Sequence, residues 1–164
     1  LGFGGLGQGV GRLAEAFGMR VLVGALPGRE REARPALEQF LPEIDVLSLH
    51  CPLTEATRDL IGAPELALMK PGSLVINAGR GGLVNEAALA EALRSGHLGG
   101  AACDVLTVEP PVDGNPLLDA DVPNLVITPH SAWGSREARQ RIVGQLLDNL
   151  LGFISGQITR QVGI

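Results

Sequence analysis

Apolar residues along this chain keep two rhythms that alternate. One is short and continuous: residues 21–25, 45–50, 73–77, 101–105 and 125–128 are runs dominated by aliphatic side chains. The other is periodic: Val10, Leu13, Ala14 and Phe17 recur at i, i+3, i+4 and i+7, one face of a helix. Short apolar runs bounded by turn residues predict strands buried on both faces. Residues 1–3 read as the stub of one more, giving six strands. A weaker helix is predicted over 30–40, interrupted by Pro35. Two short helices follow, over 55–60 and 64–69, then one over 86–94 and a last, longest one over 136–154. Asn85 and Ser135 stand where helix caps belong, and Gly18 and Gly96 where helices stop. Strands alternating with helices predict an α/β fold built on a doubly wound parallel sheet.

The last helix has an apolar face of Ile142, Val143, Leu146, Leu147, Leu150 and Leu151. That is wider than one sheet face needs, so a partner subunit or further sequence is expected to cover part of it. Residues 110–123, rich in proline and aspartate, read as one ordered surface loop. A chain of 164 residues, 45% of them apolar, can hold one well-cored domain. The predicted division is a main domain over 1–155 and a C-terminal segment over 156–164. A formal charge of −5 argues against nucleic acid or an anionic membrane as partner. No uncharged apolar stretch reaches ~18 residues, so no spanning helix is expected. Cys51 and Cys103 fit no CxxC or zinc pattern and read as half-buried thiols in a reducing, cytoplasmic compartment. The scattered Asp45, Asp113, Asp119 and Asp121 lack metal-ligand spacing, and no metal is expected. Leu1 stands inside a strand, one residue before a glycine motif, which predicts preceding sequence.

That motif is GFGGLG, with Gly2, Gly4 and Gly7 in the G-x-G-x-x-G register. Gly2 would allow the tight turn, Gly4 the close approach of a pyrophosphate, and Gly7 the packing of helix on strand. Amides at the start of the next helix can bind the phosphates. The acid that usually follows about 20 residues later to hold a ribose is missing, and Ala25 takes its place. Arg29 and Arg31 lie just beyond. An arginine there can accept a ribose 2′-phosphate, so both NAD and NADP are candidate cofactors.

Three polar residues each follow a different predicted strand: Arg80 in INAGRGG, Glu109 in DVLTVEPP and His130 in VITPHSAW. Parallel strands gather such residues in one crevice at their carboxyl ends. A guanidinium there can grip a carboxylate, and a histidine backed by a glutamate can move a proton. Pro110 and Pro111 stiffen the chain after Glu109. Glycines around Arg80 let backbone approach a ligand. Together with the dinucleotide loop, the trio predicts hydride transfer between a nicotinamide and a small acid. His97, in the turn SGHLGG, reads as a solvated loop residue, and His50 as a wall of the cofactor pocket.

Almost the whole chain resembles the cofactor domain of the D-isomer-specific 2-hydroxyacid dehydrogenases, whose fold is Rossmann-type. The similarity lies in GFGGLG, LHCPLTEATRDLIG, LMKPGSLVINAGRGGLVNEAAL, GGAACDVLTVEPP and ITPHSAWGSREAR. The segment from His130 to Trp133, with NPLL before it, looks most like the glycerate dehydrogenase/hydroxypyruvate reductase branch. The resemblance implies that Arg80 binds the substrate carboxylate, that Glu109 holds the catalytic histidine and that His130 is that acid/base. It implies that Asp104 meets the nicotinamide carboxamide and that Trp133 lies near the substrate mouth. Gly2, Gly4, Gly5, Leu6 and Gly7, then His50, Cys51 and Pro52, and then Ala78, Gly79 and Arg80 would line the cofactor. The substrate would be a small 2-keto or 2-hydroxy acid such as hydroxypyruvate, D-glycerate or glyoxylate. A homodimer is expected, as is a separate substrate domain built mostly from sequence before the glycine loop. The rival expectation is an isolated dinucleotide-binding or sensing module. Formate dehydrogenase, which is similar to this family, pairs its histidine with a glutamine, and Glu109 argues against it.

Overall fold

The computed structural model describes residues 1–28 and 33–160. Four apolar runs pair as β1 (Val46–Leu49), β2 (Leu74–Asn77), β3 (Gly100–Cys103) and β4 (Leu125–Ile127). All pairings are parallel and the strands lie in chain order. The helices are α1 (Gly5–Ala16), the short α2 (Leu37–Phe40), α3 (Ala63–Leu68), α4 (Glu86–Arg94) and α5 (Arg136–Ile154). Parallel neighbours need crossover connections. Helix α3 lies in the first crossover and α4 in the second. The third is the proline-rich loop, with one 3-10 turn at Pro116–Leu118. Leu47, Leu49 and Val75 from the sheet join Leu66, Met69, Leu89 and Leu93 in one buried cluster. Side chains alternate across a strand. On β2, Val75 and Asn77 are accordingly buried, while Leu74 and Ile76 stay 41% and 37% exposed.

The caps read from sequence form. Asn85 Oδ1 accepts from the Ala88 amide at 3.0 Å, and Ser135 Oγ from the Ala138 amide at 3.1 Å. Gly18 and Gly96 take φ of +79° and +72° just past their helices. The chain divides into two compact units, Leu1–Pro129 with the sheet and α1 to α4, and His130–Ile164 with α5. Along α5, Ile142, Val143, Leu146, Leu147, Leu150 and Leu151 are all exposed. No helix among the described residues is long and apolar enough to cross a membrane.

Several expectations change. Residues 1–3 and 21–25 form no strand, so the described residues hold four strands where six were expected. Leu1 does sit beside β1: its nitrogen donates to Ser48 O and its oxygen accepts from the His50 amide, both at 2.8 Å. Leu1 also lies against Gly24, yet no ladder forms there. Of the helix expected over 30–40, residues 30–32 lie outside the described residues, and the described part holds α2, followed by a 3-10 turn at Leu41–Glu43. Pro35 explains the late start, since it lacks an amide and its carbonyl is taken by the Ala25 amide at 2.8 Å. The short helix over 55–60 is one 3-10 turn at Glu55–Thr57. His97 is not a solvated loop residue. It is half-buried, with Nε2 3.0 Å from the Leu66 carbonyl oxygen, which ties the end of α4 to α3.

Both cysteines are buried and unpaired with each other. Burial pushes the Cys103 thiol up to about 11, and raises Cys51 for the same reason. Thiolate is the reactive form. At pH 8, alkylation of Cys103 is therefore expected to run about 100-fold slower in the folded chain than in urea. Equal rates, read by mass spectrometry of the labelled peptide, would contradict this burial.

Candidate active site

The glycine turn is built by backbone packed on backbone. Gly2 has φ +86°, and a Cβ there would come within 2.5 Å of the Cys51 amide nitrogen. A Cβ on Gly7 would drive into the Gly2 carbonyl oxygen. Glycine at these two positions lets the turn, α1 and the residues after β1 close on one another. Gly4 and Gly5 face open space. Helix α1 starts at Gly5 with no side-chain cap and no acidic residue in its first turn. Its leading amides are thus left to an incoming anion, and the helix dipole favours one. A dinucleotide pyrophosphate fits this cradle.

Beside the turn lies a cleft of about 340 Å³, lined by Gly2, Gly4, His50, Cys51 and Pro52 among others. His50 Nε2 is 2.9 Å from Ser48 Oγ, and burial lowers the His50 pKa. Leu26, Pro27, Arg34, Thr54 and Thr57 also line the cleft, and none of them was expected from sequence. Arg34 precedes Pro35, whose carbonyl oxygen accepts from the Ala25 amide. Arg29 and Arg31 lie outside the described residues. Leu6, in the first turn of α1, is 78% exposed.

At the carboxyl end of β2, Asn77 is 3% exposed and shapes the turn that follows. Its Nδ2 donates to the Arg80 carbonyl oxygen at 3.0 Å, and its Oδ1 accepts from the Gly79 amide at 3.1 Å. A lone asparagine closing an apolar run is the signal that could have revealed it. Arg80 is exposed and its Nη1 donates to Gly79 O at 2.8 Å. After β3, Asp104 is buried. Its Oδ1 accepts from Thr128 Oγ1 at 2.5 Å, and its amide donates to Asn77 O at 2.9 Å. Glu109 is exposed, and its Oε1 accepts from the Leu106 amide at 2.7 Å.

The Arg80 and Glu109 loops touch. A Cβ on Gly81 would land on the Leu106 carbonyl group, so these two backbones meet with no side chain between them. His130 opens the second unit at φ +49°, and Trp133 Nε1 donates to its carbonyl oxygen at 2.9 Å. Arg80, Asp104 and Glu109 thus gather at the strand ends of the first unit, while His130 and Trp133 share the loop that leads into α5.

A parallel sheet, a glycine turn feeding a helix and a cleft beside them define a dinucleotide-binding domain of the Rossmann type. Residues 1–132 match the family described as D-isomer specific 2-hydroxyacid dehydrogenase, NAD binding domain, and the chain belongs to that family. It is 48% identical over 157 residues to a glycerate dehydrogenase of Methylorubrum extorquens, covering 96% of this chain and 49% of the relative. It is 40% identical to a glyoxylate reductase of Aeropyrum pernix, covering 96% and 48%. Among solved structures, a Thermus thermophilus protein superposes with a TM-score of 0.84 at 42% identity, over 99% of this chain and 52% of that one. An NADPH-dependent glyoxylate/hydroxypyruvate reductase of Sinorhizobium meliloti, solved with NADP and malonate, gives a TM-score of 0.81 at 30% identity, over 100% and 54%. The chain spans about half the length of the curated relatives it matches.

Proposed function

We propose that the full-length protein interconverts a small 2-keto acid and its 2-hydroxy acid, with hydroxypyruvate and D-glycerate as the main pair and glyoxylate as a second substrate. The observation that carries this reading is the backbone contact of Gly81 with Leu106, which sets the Arg80 and Glu109 loops side by side at the sheet's carboxyl end. The 48% identity to a glycerate dehydrogenase supports the substrate pair.

Arg80 grips the substrate carboxylate through its guanidinium, which the Gly79 carbonyl steadies. His130 gives a proton to the keto oxygen in reduction and takes it back in oxidation. Glu109 holds the imidazole in the orientation that this transfer needs. Asp104, held by Thr128, meets the nicotinamide carboxamide. The nicotinamide, when bound, supplies or accepts the hydride. Trp133 stands at the substrate mouth. The exposed apolar face of α5 supports a homodimer. Initial rates with hydroxypyruvate, glyoxylate and pyruvate test the substrate assignment, with kcat/KM expected to be highest for hydroxypyruvate. A clear preference for pyruvate would overturn it.

The same reading favours NADPH over NADH. Among the described lining residues the cleft carries Arg34 and no carboxylate, and Ala25 stands where a ribose-binding acid belongs. Arg34→Ala is expected to weaken NADPH about 10- to 100-fold and leave NADH nearly unchanged, since one charge-assisted contact contributes about 1.5–3 kcal/mol. Equal losses for both cofactors in a fluorescence titration would remove Arg34 from the 2′-phosphate.

A further inference from the structure

Glu86 is the first residue of α4, six positions after Arg80 in the chain. Asn85 already caps this helix, so the Glu86 carboxylate is not needed for that. Both its oxygens reach across to another segment. Oε1 accepts from the Thr107 amide and Oε2 from Asn115 Nδ2, each at 2.7 Å. Asn115 cannot turn its amide round freely, because its Oδ1 accepts from the Leu117 amide at 2.9 Å. Thr107 and Asn115 flank Glu109 in sequence, so one carboxylate holds both ends of the loop that carries it. Between these tethers Glu109 accepts from Leu106, whose carbonyl lies against Gly81. At the other end of α4, Arg94 binds Asp119 at 2.9 Å and Asp121 at 2.8 Å, fastening the rest of the loop to the same helix.

An acidic residue in a first helical turn often does no more than complement the helix dipole. That role asks only for an exposed carboxylate. Glu86 is half-buried, and both of its oxygens are engaged in short, charge-assisted bonds to a different element.

We propose that Glu86 is a positioning residue for Glu109. It pins the Glu109 loop onto the helix that follows the Arg80 loop, and so fixes the glutamate relative to the arginine. The proposal rests on the reading above that Glu109 serves the reduction of a 2-keto acid. Glu86 itself touches neither substrate nor cofactor.

The test is a double-mutant cycle in the full-length protein, assayed with hydroxypyruvate and NAD(P)H. Glu86→Ala is expected to lower kcat by about 10- to 100-fold, the scale of a catalytic group misplaced by about 1 Å. Cofactor Kd should stay within about two-fold. Glu86→Gln leaves one acceptor for Thr107 and faces Asn115 with a second donor, so it and Asn115→Ala should each fall between wild type and Glu86→Ala. In a Glu109→Gln background, Glu86→Ala should cost less than about two-fold further, because the group it positions is already gone. If Glu86→Ala does not fold, Glu86→Gln and Asn115→Ala complete the cycle. Undiminished kcat in these variants, or the same loss with and without Glu109, overturns the proposal. A wild-type protein inactive on every 2-keto acid would instead refute the functional reading on which the proposal rests.

Discussion

Replacing His130 by asparagine in the full-length protein is expected to lower 2-keto acid reduction by about 10²–10⁴-fold, the usual contribution of a positioned acid/base. Cofactor affinity should stay within about two-fold, because the role proposed for the replaced group is at the substrate oxygen. Asparagine is the informative substitution. His130 sits at φ +49°, in the left-handed region, which asparagine tolerates better than alanine or a branched residue. The backbone of the loop should therefore survive while the proton donor is lost. Its carbonyl can still accept from the Trp133 indole. Intact turnover, or a fall in rate matched by an equal fall in cofactor affinity, would place the acid/base elsewhere.

The second large effect is expected at Gly7. Its missing Cβ is what lets the first turn of α1 lie on the Gly2 carbonyl. Gly7→Ala forces backbone apart from backbone, with no flexible side chain to absorb the shift. The expected cost is about 1–3 kcal/mol of stability, together with more than about 10-fold in NAD(P)H affinity as the phosphate-facing amides move. Gly9, two residues along the same helix, is the control. The nearest neighbour of a Cβ there is the end of the Arg12 side chain at 3.9 Å. Gly9→Ala should raise stability by about 0.5–1 kcal/mol through helix propensity alone. Thermal melts and cofactor titrations of the two variants separate the readings. Similar behaviour of both would mean that the turn has room to spare.

The contrast between these glycines bears on what a sequence can reveal. Periodicity marked α1, the cap residues marked α4 and α5, and continuous apolar runs marked all four strands among the described residues. Those signals are local, and local physics decides them. Residues 21–25 carry the same apolar signal yet make no ladder, because a strand also needs a paired neighbour, which an apolar run does not reveal. Pro35 was visible as a helix interruption. Its bond to Ala25 was not, nor was the place of its neighbour Arg34 in the cleft, since these join residues with no shared pattern. Glu86 and Asn77 escaped for a similar reason. Each acts on backbone groups or side chains presented by tertiary contacts, and an acidic residue after a cap or an asparagine after a strand has many ordinary explanations. That the Arg80 and Glu109 loops lie side by side could be read from sequence, because parallel strands place their carboxyl ends together by geometry.

The most direct test of the central claim is the configuration of the product. The full-length protein would be incubated with hydroxypyruvate and NADPH or NADH, and the glycerate formed resolved by chiral chromatography. The account predicts D-glycerate alone, formed in step with cofactor oxidation. L-glycerate, a racemate, or bound cofactor that stays unreacted would contradict it.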